Sequence, residues 1–219
     1  MAKLHRSKSA NNPGRGKAKL VPTKLRIVSG EFRGRRISYN GDPATRPMKE
    51  KTREAVFSLL GGRLPETCAL DLFGGTGILG MEAVSRGAKG AIILELMHKS
   101  VATMKETLEG LELNDRIRVQ NVDTIRWLKN FELQQLRYAQ PNCDWNLPWI
   151  VFVCPPYKLW VAESEKLVAG LGCLVEAAPS GSKIICETDK LFSVADSIDK
   201  LDWDVRHYDP AYISIAQVD

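Results

Sequence analysis

Residues 68–80, read as CALDLFGGTGILG, constrain the fold more than any other stretch of this chain. An apolar run carrying one carboxylate passes straight into glycines and then into a helical pattern, which predicts a buried strand, a tight turn and a helix start. Gly74, Gly75 and Gly77 can take positive φ or let a ligand approach the backbone, and the N–H groups opening the helix at Ile78 offer that ligand donors. Residues 75–80, GTGILG, also fit the dinucleotide fingerprint G-x-G-x-x-G, and Glu95 closes the next apolar run about 20 residues on, where a ribose-binding carboxylate belongs. A nucleotide-like ligand is the expectation, and a bare strand-turn-helix is the alternative.

Asp71 separates the candidate ligands. A carboxylate inside a strand is costly to bury without a partner, and beside a pyrophosphate it is repelled. The sulfonium and ammonium groups of S-adenosylmethionine remove both objections. A nicotinamide-dependent oxidoreductase, by contrast, rests on the glycine fingerprint alone.

A chain of 219 residues, 44% apolar, is long enough for one well-buried domain with an appendage. No apolar run reaches membrane-spanning length, and the first residues are basic without the apolar segment of a signal peptide. A soluble, cytoplasmic protein with no membrane partner is expected, and nothing suggests an obligate partner subunit, so a monomer is expected too. Cys68, Cys143, Cys154, Cys173 and Cys186 show no C-x-x-C spacing and lie mostly in apolar runs, so they read as reduced core thiols with no metal site. Net charge is +5, yet residues 1–24 hold seven Lys or Arg and no acid, which leaves 24 basic against 26 acidic residues elsewhere. The excess sits in a polar tail over residues 1–23, expected to be disordered and drawn to polyanions, or else only solubilising.

Further on, 25–28 and 36–39 read as short strands of a hairpin around SGEFRGR, so residues 24–47 form a hairpin and loop that face nucleic acid. Arg26, Arg33, Arg35 and Arg36 make it basic, Phe32 and Tyr39 offer stacking faces, and the stripe continues into Arg46, Lys49, Lys51 and Arg53. Residues 48–219 form the main domain. Helical periods cover 48–60, 78–86 and 101–111, and a helix runs through Trp127, Leu128 and Phe131. Buried strands are predicted over 91–95, 117–120 and 149–153, with 132–147 a helix end and loop. Two prolines stop the strand at Cys154, helix follows to about 178, and strand 183–187 precedes a short helix over 191–198. Strands 203–208 and 211–218, joined at Asp209-Pro210, close the chain as an antiparallel hairpin. The alternation implies an α/β fold with a doubly wound, mostly parallel sheet.

Strand-end acids at Glu95 and Asp123, the glycine turn, and Pro-Pro-Tyr after the fourth central strand place ligand groups at the carboxyl ends of one sheet. Together these residues resemble the class I S-adenosylmethionine-dependent methyltransferases that modify exocyclic amino groups. More narrowly, LRIVSGEFRGRRI, ATRPMKEKTREAVFSLL, DLFGGTGILGMEAVSRGA and the terminal hairpin look like the bacterial family that methylates N2 of a guanine in 16S ribosomal RNA. The resemblance covers residues 24–218 and is weak over 132–147. It implies a Rossmann-like fold, S-adenosylmethionine as cofactor, and ribosomal RNA or the small ribosomal subunit as partner. It also implies that Asp71 and the turn Phe73, Gly74, Gly75, Thr76 and Gly77 hold the methionine end, Glu95 the ribose hydroxyls and Asp123 the adenine amino group. Arg46 would face the RNA or the target base, with Arg26, Arg33, Arg35, Arg36 and Lys49 on the RNA side. Each acid alone also reads as a strand-end or helix-capping carboxylate.

One position departs from the family pattern of Asp or Asn followed by Pro-Pro-Tyr or Phe: here it is Cys154-Pro155-Pro156-Tyr157. In the usual arrangement the first side chain and the Pro155 carbonyl accept the amino protons of an extruded base, while Tyr157 stacks on it. A thiol is a weak acceptor, so a loss on the order of 10²-fold in rate is expected. A nucleophilic Cys154 needs a low thiol pKa and a nearby base. Three functions stay open: an RNA guanine-N2 methyltransferase, a catalytically weakened or inactive RNA- or ribosome-binding homologue, and the oxidoreductase. An adenine-N6 methyltransferase of DNA or RNA uses similar strand-four chemistry.

Overall fold

A computed structural model describes residues 23–39, 41, 45–140 and 142–219, so the tail read over 1–23 lies, except for Thr23, outside the described residues. Strands β1 (Thr23–Arg26) and β2 (Arg36–Tyr39) pair antiparallel as the expected hairpin. There follow α1 (Glu50–Leu59), β3 (Cys68–Asp71), α2 (Ile78–Ser85), β4 (Gly90–Glu95), α3 (His98–Gly110), β5 (Ile117–Asn121), α4 (Thr124–Lys129) and α5 (Leu133–Ala139). The second half holds β6 (Trp149–Val153), α6 (Tyr157–Ala162), α7 (Ser164–Ala177), β7 (Lys183–Thr188), α8 (Val194–Ser197), β8 (Trp203–Tyr208) and β9 (Ala211–Gln217).

Seven strands form one sheet in the order β5-β4-β3-β6-β7-β9-β8, parallel from β5 to β7 and antiparallel through β9 and β8. Strands β3, β4 and β6 are buried along their whole length, because helices cover both faces and demand unbroken apolar runs. Phe57, Met81, Ala91 and Phe152 pack one face together with Ile27 and Ile37 of the hairpin, and Trp145, Trp149, Trp160, Leu167 and Leu171 pack the other. The strand order reverses at β3 and β6, and a crevice at such a reversal is where open α/β sheets take ligands.

The hairpin is bound into the main domain rather than appended to it. Arg53 of α1 donates to the Glu82 carboxylate of α2 at 3.0 Å and to the Arg26 carbonyl at 2.8 Å, and Arg86 binds the other Glu82 oxygen. Glu82 is fully buried, and it also accepts the Val28 N–H at 2.9 Å. The Glu31 N–H donates to the Ser85 carbonyl at 2.7 Å, a close approach that a side chain at Gly30 would block.

Four expectations are corrected. The first strand ends at Arg26 rather than 28, because Val28 turns its N–H to Glu82. Residues 132–147 contain α5, a helix whose one buried residue, Leu136, leaves no apolar period to read. The helix running to 178 divides at Glu163 into α6 and α7. Cys68 and Cys143 form a disulfide instead of remaining thiols: 75 residues apart in sequence, they meet where the segment after α5 packs on the start of β3. Cys154, Cys173 and Cys186 are free, although Cys173 is exposed rather than in the core.

Candidate active site

The turn after β3 is shaped by glycine at two positive φ angles, 56° at Gly75 and 73° at Gly77, while any side chain at Gly74 would collide with Ile93. Just before it, Asp71 is 1% exposed. Its Oδ2 accepts the Gly80 N–H at 3.2 Å, so one of the helix donors expected for a ligand is already taken. Its Oδ1 is buried with no hydrogen-bond partner among the described residues. Burial pushes this carboxyl up to about 7; the Gly80 N–H opposes the rise and the Glu95 charge adds to it. A half-satisfied buried carboxylate beside an open glycine turn calls for a donor or a cation. The donor set fits the ammonium-bearing end of S-adenosylmethionine and does not fit a pyrophosphate.

Glu95 ends β4 across the turn. Its Oε2 accepts the Gly75 N–H at 2.7 Å and its Oε1 accepts the Met97 N–H at 2.6 Å, which holds the carboxylate against the turn. Asn121 braces this strand end by donating to the carbonyls of Glu95 and Leu96 at 2.9 and 2.8 Å. Asp123 is exposed and caps α4, its Oδ1 accepting the N–H groups of Ile125 and Arg126 at 2.9 and 3.2 Å. Phe73 is half-buried in the turn against the second face of the core, and Thr76 is buried at the head of α2.

On the neighbouring strand, β6 is followed by Cys154, half-buried, then by Pro155, Pro156 and Tyr157 at the head of α6. Burial, then the negative charges of Glu187 and Asp71, hold the Cys154 thiol well above its ordinary pKa, which removes the thiolate that a nucleophilic role requires. The Tyr157 hydroxyl donates to Glu187 Oε1 at 2.7 Å. Burial and this bond keep Tyr157 a phenol. Burial also raises the Glu187 carboxyl, with the Tyr157 hydrogen bond and the Arg46 charge lowering it in part. Arg46, in the loop before α1, lies near enough for its charge to act on both Tyr157 and Glu187. That loop is pinned by the Tyr39 hydroxyl on the Thr45 carbonyl at 2.6 Å, by Thr45 against Gly75, and by Lys49 on the Asp209 carbonyl at 3.4 Å.

Arg33, Arg35 and Arg36 are exposed on the hairpin, and Arg26 is exposed but paired with Glu50. Three members of the expected basic and aromatic surface are turned elsewhere. Arg53 is 1% exposed because it neutralises Glu82; Tyr39 is buried; and Phe32 packs under the Arg116 guanidinium, 5.6 Å from the ring centroid. Sequence reasoning missed Glu187, although it lies near the end of an apolar strand, one residue before the last of β7, and missed the bracing role of Asn121.

A family model described as conserved hypothetical protein 95 matches residues 25–212. Ribosomal RNA small subunit methyltransferase D of Buchnera aphidicola from Acyrthosiphon pisum is 32% identical over 136 residues, 62% of this chain and 64% of that protein, so the chain spans just under two thirds of that relative's length. The protein of the same name from Escherichia coli is 31% identical over 172 residues, 78% of this chain and 76% of the relative. Among solved structures, the Escherichia coli protein yhhF superposes with a TM-score of 0.69 at 22% identity, covering 90% of this chain and 99% of that one, a likeness of fold.

Proposed function

The chain belongs to the conserved hypothetical protein 95 family of ribosomal RNA small subunit methyltransferase D-like proteins, and from that premise we propose that it transfers a methyl group from S-adenosylmethionine to the N2 amino group of a guanine in 16S ribosomal RNA. The observation that carries the reading is the row along one sheet edge: Asp71 on β3, Cys154-Pro155-Pro156-Tyr157 after β6 and Glu187 on β7, three adjacent strands beside the glycine turn. When bound, S-adenosylmethionine supplies a methyl group on a sulfonium centre that leaves as a neutral thioether.

The chain's own residues bind and orient. Asp71 receives the ammonium on its unpartnered oxygen, the backbone of Gly74, Gly75 and Gly77 admits the methionine end, Glu95 takes ribose hydroxyls and Asp123 the adenine amino group. Tyr157 stacks on the extruded base, and the Pro155 carbonyl accepts one amino proton so that the nitrogen lone pair points into the crevice. Arg46 and Lys49 stand where the target strand enters, and Arg26, Arg33, Arg35 and Arg36 contact phosphate. Choice of guanine N2 over adenine N6 rests on the resemblance of the hairpin and α1 segments.

Cys154 favours a second reading, a homologue that binds RNA and has lost chemistry. Nucleoside mass spectrometry of ribosomal RNA from cells deleted for this protein decides between them: loss of N2-methylguanosine at one small-subunit position is expected, and an unchanged modification profile contradicts the enzymatic reading.

A further inference from the structure

Cys154 leaves the target amine one acceptor short, and a carboxylate stands one strand away. Strands β6 and β7 run parallel with Val153 opposite Cys186, so the next residues along each chain, Cys154 and Glu187, are neighbours at the carboxyl edge, one strand spacing of about 4.8 Å apart. Each follows by two residues the pair Phe152 and Ile185, whose side chains enter the same core; Cys154 packs against that core, and Phe152 is itself opposite Asp71. Side chains two apart on a strand share a face. Asp71, Cys154 and Glu187 thus leave the sheet on one side, in strand order.

Tyr157 aims the carboxylate. Its hydroxyl holds Glu187 Oε1 at 2.7 Å, so the ring that stacks on the base carries Glu187 at its rim. The backbone behind it is fixed too: Trp160 donates to the Glu187 carbonyl at 2.8 Å and stacks on Phe192 with centroids 5.0 Å apart. Among the described residues, that hydroxyl is the one hydrogen-bond donor to the carboxylate, which leaves acceptor sites for a substrate amine.

We propose that Glu187 accepts the proton of the target amino group, in the role that the family's Asp or Asn fills from the position of Cys154; the inference rests on the methyltransferase reading above. The amine lone pair forms the nitrogen–carbon bond as the methyl–sulfur bond breaks and leaves its pair on sulfur, and the proton then shed by nitrogen passes to Glu187 and on to water. Burial makes Glu187 a stronger base than an exposed glutamate. The charged or titratable groups around it are Tyr157 from α6, Arg46 from the loop before α1, Cys154 after β6 and, beyond Cys154, Asp71 of β3.

The test is steady-state methyl transfer to small ribosomal subunits lacking the modification, across a pH series, with cofactor affinity measured separately by calorimetry. Glu187→Gln is expected to lower kcat on the order of 10²-fold, to leave KM for the subunit and cofactor affinity unchanged, and to abolish the acid limb that Glu187 contributes. Tyr157→Phe removes a hydrogen bond that lowers the Glu187 pKa, so that limb moves to higher pH. Adding Cys154→Asp to Glu187→Gln restores most of the rate. Native kcat and an unchanged profile in Glu187→Gln overturn the inference, as does an inactive native chain that Cys154→Asp alone makes active. If Glu187→Gln does not fold, Tyr157→Phe decides, and an unmoved acid limb overturns the inference. A native chain that transfers no methyl, with or without Cys154→Asp, refutes the methyltransferase reading and the acceptor with it.

Discussion

Glu95 at the end of β4 accepts the N–H of Gly75 at 2.7 Å, so the carboxylate expected to meet ribose also sets the shape of the turn that must meet the rest of the ligand. Hydrogen bonds to a charged group contribute about 1.5–3 kcal/mol each. Glu95→Ala is therefore expected to weaken S-adenosylmethionine binding by roughly 10- to 100-fold in calorimetry, with little change in RNA affinity. Unaltered cofactor affinity would remove Glu95 from the site.

Asp71 predicts an unusual dependence on pH. Its carboxyl is raised from 3.8 to about 7, so between those values the folded state holds more protons than the unfolded one, and stability of the ligand-free protein falls as pH rises through the window. The cost above pH 7 is of the order of 4 kcal/mol. Asp71→Asn is expected to melt at higher temperature than the native chain above about pH 7, with the difference vanishing near pH 4.

The same group predicts proton release on binding. A cationic ligand beside Asp71 lowers its pKa, so titration in two buffers of different ionisation enthalpy should show about half a proton leaving per ligand bound near pH 7, where the carboxyl is half protonated, and a release that rises toward one as the pH falls to about 6. Binding without release would mean that Asp71 is not where the cation sits.

Glu82 of α2 joins α1 through Arg53 and the hairpin through the Val28 N–H, and Arg86 at the end of its own helix pairs with its other oxygen. Removing one member of a buried charge cluster typically costs about 3–5 kcal/mol. Glu82→Ala leaves two buried guanidinium groups uncompensated, and denaturant unfolding should register a loss of that size, with weaker RNA binding as the hairpin loosens. A loss under about 1 kcal/mol would show that the cluster does not hold the hairpin.

The exposed hairpin arginines predict a signature in salt. Alanine at Arg33, Arg35 and Arg36 together should reduce the slope of log affinity for RNA against log salt by roughly 0.7–0.9 for each phosphate no longer neutralised, while cofactor binding stays unchanged. An unchanged slope would place the RNA on another face.

Much of this architecture was legible because its signals are local. The apolar run, Asp71 and the glycines of 68–80 announce strand, turn and helix within one stretch, and β6 stops where two prolines forbid a ladder. What was not legible depends on residues far apart in sequence meeting in space. Arg53 read as one more cation in a basic stripe until Glu82, 29 residues on, claimed it in the core. Cys68 and Cys143 carry no spacing signal, and only the packing of the segment after α5 on β3 brings them together. Glu187 stood in plain view as a strand-end acid, but its meaning comes from β7 lying beside β6, which puts it next to Cys154 and under the Tyr157 hydroxyl.

The central claim is tested most directly by incubating the purified native chain with methyl-labelled S-adenosylmethionine and small ribosomal subunits that lack the modification, then locating the label by nuclease digestion and mass spectrometry. The account predicts label on N2 of one guanine in 16S ribosomal RNA. Label on adenine N6, or no transfer by a protein that still binds both cofactor and RNA, would contradict it.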